Sequence, residues 1–131
     1  MFVDASALVS LMTAEDDADV LAVRLNGAQV RMTSAVAIYE AALAVARKFS
    51  WTIGEGKALT LDFLALASIE IVSVGEIEAE VALEACERFG KGRHPASLNM
   101  GDCFAYACAK VHGLPLLFKG DDFGKTDIAA A

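Results

Sequence analysis

The feature that most constrains the fold is a regular alternation between short apolar runs and longer segments with helical periodicity. The strand-like runs cover residues 1–3, 30–32, 69–74 and 114–118. The first and last have the composition of buried strands, and residues 69–74 alternate as a strand does. The segments between them are long enough to cross from one parallel strand to the next. We therefore predict an α/β fold for residues 1–131, as a single domain with a parallel-dominated central sheet and helices on both faces.

The composition is that of a folded domain. The chain has 131 residues, of which 56% are hydrophobic and only 2 are proline, and this argues against disorder. Asp4 interrupts the apolar start, and no stretch is long and apolar enough to span a bilayer. We therefore expect a cytoplasmic protein without membrane association. The 3 cysteines have no paired spacing and predict neither a disulfide framework nor a zinc site.

A polar turn containing Gly101 leads directly into an alanine-rich apolar helix, and Asp102 lies where that helix begins. Asn99 has a side chain suited to the N-cap position. The N-terminus of a helix carries unpaired N–H groups and partial positive charge, which favour an ionised carboxylate in the first turn. A single aspartate at this position would usually do no more than complement the helix dipole.

Other acids also lie at the edges of apolar elements. Asp4 and Asp121 follow the first and last apolar runs. In a parallel sheet both would project from the carboxyl ends of strands, where α/β proteins form their sites. Glu40 lies inside a long apolar helix, where a carboxylate is costly unless something pairs with it. An ion pair with Arg47 would be the purely structural explanation.

Taken in order, these segments resemble a PIN-domain ribonuclease of the VapC toxin type. The resemblance covers nearly the whole chain, and although each segment is weakly diagnostic alone, the ordered set is specific. The matching segments are Phe2-Val3-Asp4-Ala5-Ser6-Ala7-Leu8, Thr33-Ser34 leading to Glu40, Lys91-Gly92-Arg93-His94-Pro95 followed by residues 98–107, and residues 116–123.

The resemblance implies an endoribonuclease that is the toxin of a toxin–antitoxin pair and is silenced by a small VapB-type antitoxin. It also implies an active site built from Asp4, Glu40, Asp102 and Asp121. We expect Asp4 and Asp102 to bind a metal directly. Glu40 and Asp121 would hold coordinated waters, a second metal or the attacking water. Asp122 competes with Asp121 for the fourth position.

The expected metal follows from the charge of these side chains. Carboxylates within a few ångströms of each other repel, so at least one takes up a proton unless a cation intervenes. Mg²⁺ prefers oxygen ligands and retains several waters, so two or three carboxylates suit it, and Mn²⁺ is also compatible. Such a metal activates water and neutralises charge that builds on a phosphate. We therefore expect Mg²⁺, with Mn²⁺ possible, and hydrolysis of a phosphodiester bond, which the resemblance implies is in RNA.

Charge and surface patterning bear on the partners. The net charge of -7 counts against RNA binding by phosphate neutralisation alone, although a metal site attracts phosphate locally. Basic residues concentrate in residues 88–94, and we expect this loop to contact phosphate or a partner. The helix expected over residues 55–67 is apolar on several sides, which favours homodimerisation or antitoxin docking.

Several peripheral features carry simpler expectations. Ser6 would either hydrogen-bond the metal site or cap the first helix. The alanine tail over residues 129–131 is expected to fray. Four acids are expected in the first turn of the second helix, solvated and without a chemical role. They are Glu15, Asp16, Asp17 and Asp19.

Three alternative functions remain. The chain could be a PIN-like domain that has lost catalysis and binds RNA or protein. It could also be a phosphatase with an aspartyl nucleophile, but such enzymes commonly need an acid two residues after the first one, where this chain has Ser6. In a third alternative every acid is a cap or a surface charge, and that explains Glu40 least well.

Overall fold

The centre of the fold is a parallel sheet, and the computed structural model describes all of residues 1–131. The four strands occur in the order β3-β2-β1-β4, and every pairing between them is parallel. The predicted parallel sheet is therefore confirmed. The strands are β1 (Phe2–Val3), β2 (Met32–Ser34), β3 (Glu70–Val72) and β4 (Leu116–Leu117).

Six α-helices and one short 3-10 helix surround this sheet. None of the helices combines the length and the hydropathy needed to cross a bilayer. The helices are α1 (Ala5–Thr13), α2 (Ala18–Gly27), α3 (Ala35–Phe49), α4 (Ile53–Leu66), α5 (Glu76–Phe89) and α6 (Met100–Val111), and the 3-10 helix is Phe123–Lys125.

Helices cover both faces of the sheet, as predicted. Successive residues of a strand point to opposite faces, so neighbouring positions belong to different cores. Phe2 and Leu116 belong to an apolar cluster with residues of α5 and α6. Val3 and Leu117 belong to a second cluster with residues of α1, α2, α3 and α4. All four side chains are fully buried.

The helix N-termini are fixed by local side chains. Asn99 is the N-cap of α6, as predicted, and its Oδ1 accepts a hydrogen bond from the Asp102 N–H at 3.0 Å. Asp102 Oδ2 accepts in turn from the Asn99 N–H at 2.8 Å, which completes a capping box. A second capping box between Thr52 and Glu55 starts α4 at Ile53, two residues before the predicted start.

The second strand lies two residues beyond its predicted position. We predicted residues 30–32, with Thr33 or Ser34 as a helix cap, whereas β2 extends to Ser34. Thr33 and Ser34 are buried despite their hydroxyl groups because both hydroxyls have partners. The Thr33 hydroxyl donates to the Val3 carbonyl at 2.9 Å, and Ser34 Oγ accepts from the Ala37 N–H at 3.3 Å. Ser34 therefore ends the strand and also caps α3.

The prediction of a frayed C-terminal tail is wrong. The Leu116 N–H donates to the Ala129 carbonyl at 2.8 Å, and the Ala131 N–H donates to the Leu116 carbonyl at 2.9 Å. Arg24 Nη1 also donates to the Ala131 carbonyl at 3.0 Å. The tail thus pairs with β4, because the outer edge of this strand offers backbone groups that no other strand satisfies.

Candidate active site

Asp4 ends β1 and is the N-cap of α1, so it lies at the carboxyl edge of the sheet. Only 3% of the residue is exposed. Its Oδ2 accepts hydrogen bonds from the Ser6 N–H at 2.9 Å and from the Ser6 hydroxyl at 2.5 Å. Burial raises the pKa of Asp4, and the hydrogen bonds from Ser6 oppose part of that rise. Ser6 therefore orients Asp4 and is not itself the cap of α1.

Glu40 reaches this edge of the sheet from the second turn of α3. Its carboxylate lies against the backbone of Gly101 so closely that a Cβ at position 101 would overlap it. Burial of the side chain raises the pKa of Glu40, and the negative charges of Asp4 and Asp102 raise it further. Three acids from separate parts of the chain are therefore close enough for the charges of Asp4 and Asp102 to act on Glu40.

Asp102 lies in the first turn of α6 and is partly buried. Burial raises the pKa of Asp102 to about 6, with further contributions from the charges of Asp4 and Asp122, and the hydrogen bond from Asn99 opposes the rise. The helix N-terminus, which favours the ionised form, is therefore outweighed by burial and by neighbouring acids.

The fourth position separates Asp121 from Asp122. Both residues are exposed and follow β4, but only Asp122 is among the charges that raise the pKa of Asp102. Asp122 immediately precedes the 3-10 helix and lies 3.6 Å from Lys125 Nζ. The charge of Asp122 therefore acts on Asp102, and the choice between Asp121 and Asp122 as the fourth acid stays a prediction.

No lysine, arginine or histidine forms an ion pair with Asp4, Glu40 or Asp102. The ion pair between Glu40 and Arg47 that would have given Glu40 a structural role does not form. Acids that approach each other in partly buried surroundings without a cation favour protonation or cation binding.

The donor set suits a hard divalent cation. All candidate ligands are carboxylate oxygens. No group of three or more acidic, histidine or cysteine side chains lies close enough together to hold a metal ion, so at most two carboxylates would bind it directly. Asp4 and Asp102 each turn an oxygen toward backbone N–H groups at a helix N-terminus. Mg²⁺ commonly takes one or two carboxylates and fills its remaining positions with water, so this arrangement fits it.

Two residues beside the site carry structural roles that sequence reasoning missed. Gly101 is one, and its sequence signal is a glycine in the first turn of a helix, where glycine is unfavourable unless something approaches closely. Glu15 is the other. We expected it to be solvated in the first turn of α2, but α2 begins at Ala18 and Glu15 accepts hydrogen bonds from Lys48 and Lys119. No local pattern reveals contacts over such sequence distances.

Some side chains of the basic loop, residues 88–94, form contacts within the protein. Arg88 pairs with Asp127 at 3.1 Å and lies over the ring of Phe89. His94 packs edge-on against the same ring. Lys91 and Arg93 are exposed and form no ion pair. A contact between this loop and phosphate or a partner therefore stays a prediction that concerns these two residues.

An apolar groove runs between α3 and α4, next to the site. It has a volume of about 420 Å³. Tyr39, the neighbour of Glu40, lines it and is 67% exposed. Leu66 on α4 is 86% exposed. The expectation that this helix presents apolar surface is therefore met. The other main lining residues are Ile38, Ile53, Leu61 and Ile71.

Comparisons with known proteins agree with this architecture. A family model described as PIN domain matches residues 1–129. Ribonuclease VapC of Mycolicibacterium smegmatis is 45% identical over 131 residues, which cover 99% of this chain and 98% of the relative. Ribonuclease VapC30 of Mycobacterium tuberculosis strain H37Rv is 42% identical over 130 residues, which cover 98% of this chain and 96% of the relative.

Solved structures show the same fold. Mycobacterium tuberculosis VapC20, described as a Sarcin-Ricin loop cleaving toxin, superposes with a TM-score of 0.77 at 19% identity, over 99% of this chain and 97% of that one. A chain of a toxin–antitoxin complex from Klebsiella pneumoniae superposes with a TM-score of 0.71 at 17% identity, over 99% and 95%. From the parallel sheet, the clustered acids and the relatives of near-equal length, we conclude that this chain belongs to the PIN-domain family, among its VapC members.

Proposed function

We propose that this protein is a metal-dependent endoribonuclease and the toxin of a toxin–antitoxin pair. The observation that carries the proposal is that Asp4, Glu40 and Asp102 converge from three elements and lack any cationic side chain. An acid cluster of this kind is unfavourable for the apo fold and is explained by binding of a cation. The names of the curated relatives, which are ribonucleases, supply the reaction class.

Asp4 and Asp102 would hold Mg²⁺ or Mn²⁺ directly. When bound, the metal supplies a water of lowered pKa and positive charge that offsets the charge on a phosphate. Ser6 holds Asp4 through its N–H and hydroxyl, which leaves the second carboxylate oxygen, Oδ1, without a side-chain donor. The capping box holds Asp102 in the same way. Both carboxylates are thus oriented before any ligand arrives.

Glu40 is the candidate proton acceptor. Its raised pKa and the absence of a hydrogen-bond partner suit a carboxylate that takes a proton from the attacking water at Oε1 or Oε2. Asp122 is the better placed of the two candidates for the fourth acid, since its charge reaches Asp102. Asp122 would bind a further water of the site, and Asp121 would be dispensable.

The groove between α3 and α4 is the proposed docking surface for a VapB-type antitoxin. It shares α3 with Glu40, so a segment seated on Tyr39 would extend toward the acids. An arginine of that segment would neutralise them by charge-assisted hydrogen bonds and exclude metal or substrate. The exposed apolar residues of α4 would pack against a second copy of the chain in a homodimer.

The test is cleavage of total cellular RNA by purified protein freed of any antitoxin. Wild type should cleave with Mg²⁺ or Mn²⁺ and not with chelator. Asp4→Asn, Glu40→Gln and Asp102→Asn should each lose about 100-fold or more of the cleavage rate, as expected for groups that act on the reacting atoms. The matched control is Asp16→Asn, because Asp16 is exposed and forms no ion pair.

The outcome also separates the alternatives. Metal binding without cleavage in wild type, after removal of antitoxin has been verified, would favour a binding module. Cleavage that persists in all three variants would show that the acids are structural. A loss confined to Asp121→Asn, with Asp122→Asn unaffected, would reassign the fourth acid.

A further inference from the structure

We propose, on the basis of the metal site proposed above, that Glu15 is a positioning residue. Through its contact with Lys119, Glu15 would hold in place the loop after β4, which carries Asp122 and is connected to Asp4 through Ser6. Glu15 itself touches none of the four acids of the site.

Glu15 bridges two lysines from distant parts of the chain. Ala14, at a φ of 51°, ends α1 in a left-handed conformation and turns Glu15 back, so that the Glu15 N–H donates to the Ser10 carbonyl at 3.1 Å. One carboxylate oxygen lies 2.5 Å from Lys119 Nζ, and the other lies 2.5 Å from Lys48 Nζ. Bonds from both ammonium groups lower the pKa of Glu15 to about 2, so the carboxylate is ionised at neutral pH.

Lys119 is connected to the site in two further ways. Its backbone N–H donates to Ser6 Oγ at 3.0 Å, and that hydroxyl donates to Asp4 Oδ2 at 2.5 Å. Along the chain, Gly120 and Asp121 link Lys119 to Asp122, with Gly120 at a φ of 92°. A displacement of Lys119 would therefore change the positions of both Asp4 and Asp122.

The loop has few other attachments. β4 is only two residues long, and Asp121 and Asp122 are exposed. The buried ring of Phe123 packs against Phe118 at 5.1 Å between centroids. That contact fixes the two ends of the loop. Between them, Lys119 provides the contacts with Glu15 and Ser6, and Asp122 contacts only the nearby Lys125. Ion pairs as exposed as this one contribute little to global stability, so loss of Glu15 should affect the loop more than the fold.

The experiment measures Mn²⁺ affinity by titration calorimetry on the metal-free full-length protein, with the melting temperature as a folding control. Glu15→Gln and Lys119→Met should each weaken Mn²⁺ binding about three- to tenfold, less than the roughly 10- to 100-fold typical of partners that touch a metal ligand directly. The double variant should bind Mn²⁺ no more weakly than Lys119→Met alone, because Lys119→Met already removes the contact with Glu15 together with the 3.4 Å ion pair between Lys119 and Asp17. Asp16→Asn, on the same connection between helices, should match wild type.

Lys48→Met tests whether Glu15 acts through Lys119 rather than through Lys48. It removes the other ammonium group from the same carboxylate and should weaken Mn²⁺ binding less than Lys119→Met, since Lys48 has no connection to the loop. In RNA cleavage, Glu15→Gln should lower kcat with KM nearly unchanged. A lower KM at unchanged kcat would instead mean that the released lysines attract phosphate, and would contradict a positioning role.

The failures are distinguishable. If wild type binds Mn²⁺ and Glu15→Gln binds it as well as Asp16→Asn does, Glu15 has no positioning role and the proposed metal site stands. If wild type binds no Mn²⁺, the metal site and the role of Glu15 are both rejected. If Glu15→Gln does not fold, Lys119→Met decides, because it keeps the backbone bond to Ser6.

Discussion

The carboxylate of Glu40 rests on the backbone of Gly101, in space that a Cβ would fill. Gly101→Ala should therefore expel Glu40 from its position. In an unobstructed helix the same change would stabilise by about 1 kcal/mol, whereas overpacking here should cost about 1 to 3 kcal/mol. Urea unfolding of the two proteins measures the difference, and the rate of RNA cleavage should fall as well, because Glu40 is the proposed proton acceptor.

Two controls isolate the contact between Glu40 and Gly101. Gly27→Ala, at a helix end with nothing within 4 Å, should be neutral or slightly stabilising. In a Glu40→Ala background, Gly101→Ala should lose most of its cost, because the obstructing side chain is gone. A Gly101→Ala protein that is as stable as wild type and cleaves RNA normally would contradict the described contact.

Metal-free protein should lose stability as pH rises through about 6. The pKa of Asp102 is about 6 in the folded protein against an ordinary value of 3.8, so the native state binds more protons between these values. Stability is thus highest below about pH 4 for this group and falls as the carboxyl ionises. The shift alone corresponds to about 3 kcal/mol, and solvent screening of a partly exposed group reduces this to about 1 to 2 kcal/mol.

Asp4 and Glu40, whose pKa values are also raised, act in the same direction. Urea midpoints measured with chelator from pH 4.5 to 7.5 give the profile. Asp102→Asn should flatten it. A midpoint that rises steadily over this range in wild type would show that the acids are not mutually destabilising.

Asp102→Asn should leave metal-free protein at pH 7.5 as stable as wild type or up to about 1 kcal/mol more stable. The substitution removes a charge that Asp4 and Asp122 oppose, and its amide oxygen can still accept from the Asn99 N–H. Thermal unfolding measures this. An Asp102→Asn protein that fails to fold would instead support a purely structural role for the aspartate.

Cys86 should be the only thiol that alkylates rapidly in the native protein. It is exposed, whereas Cys103 and Cys108 are buried. Burial raises the pKa of Cys103 to about 12 and that of Cys108 to about 11, so neither forms thiolate at neutral pH. Timed iodoacetamide labelling with mass analysis should show one modification in wild type and none in Cys86→Ser. Rapid labelling of a second site would mean that α6 opens.

Local sequence determined much of this molecule. Apolar runs of strand length separated by helical segments are enough to require a parallel sheet with helices on both faces, because no shorter connection joins parallel strands. Asn99 and Asp102 form their capping box within four residues, so its position could be predicted from the sequence. Asp4 could be placed at the sheet edge for the same reason, since it directly follows a buried strand.

Only the tertiary structure decided the features that join distant residues. Thr33 or Ser34 was predicted to cap a helix, and Ser34 does cap α3, but partners from β1 and α3 also allow both residues to end a buried strand. Glu15 accepts a hydrogen bond from Lys119, which lies 104 positions further along the sequence. The charge of Asp122 acts on Asp102, 20 positions earlier in the chain. Local propensity acts between residues a few positions apart in the sequence. Charge and close packing act between atoms a few ångströms apart, and residues that are distant in the sequence come that close only in the folded chain.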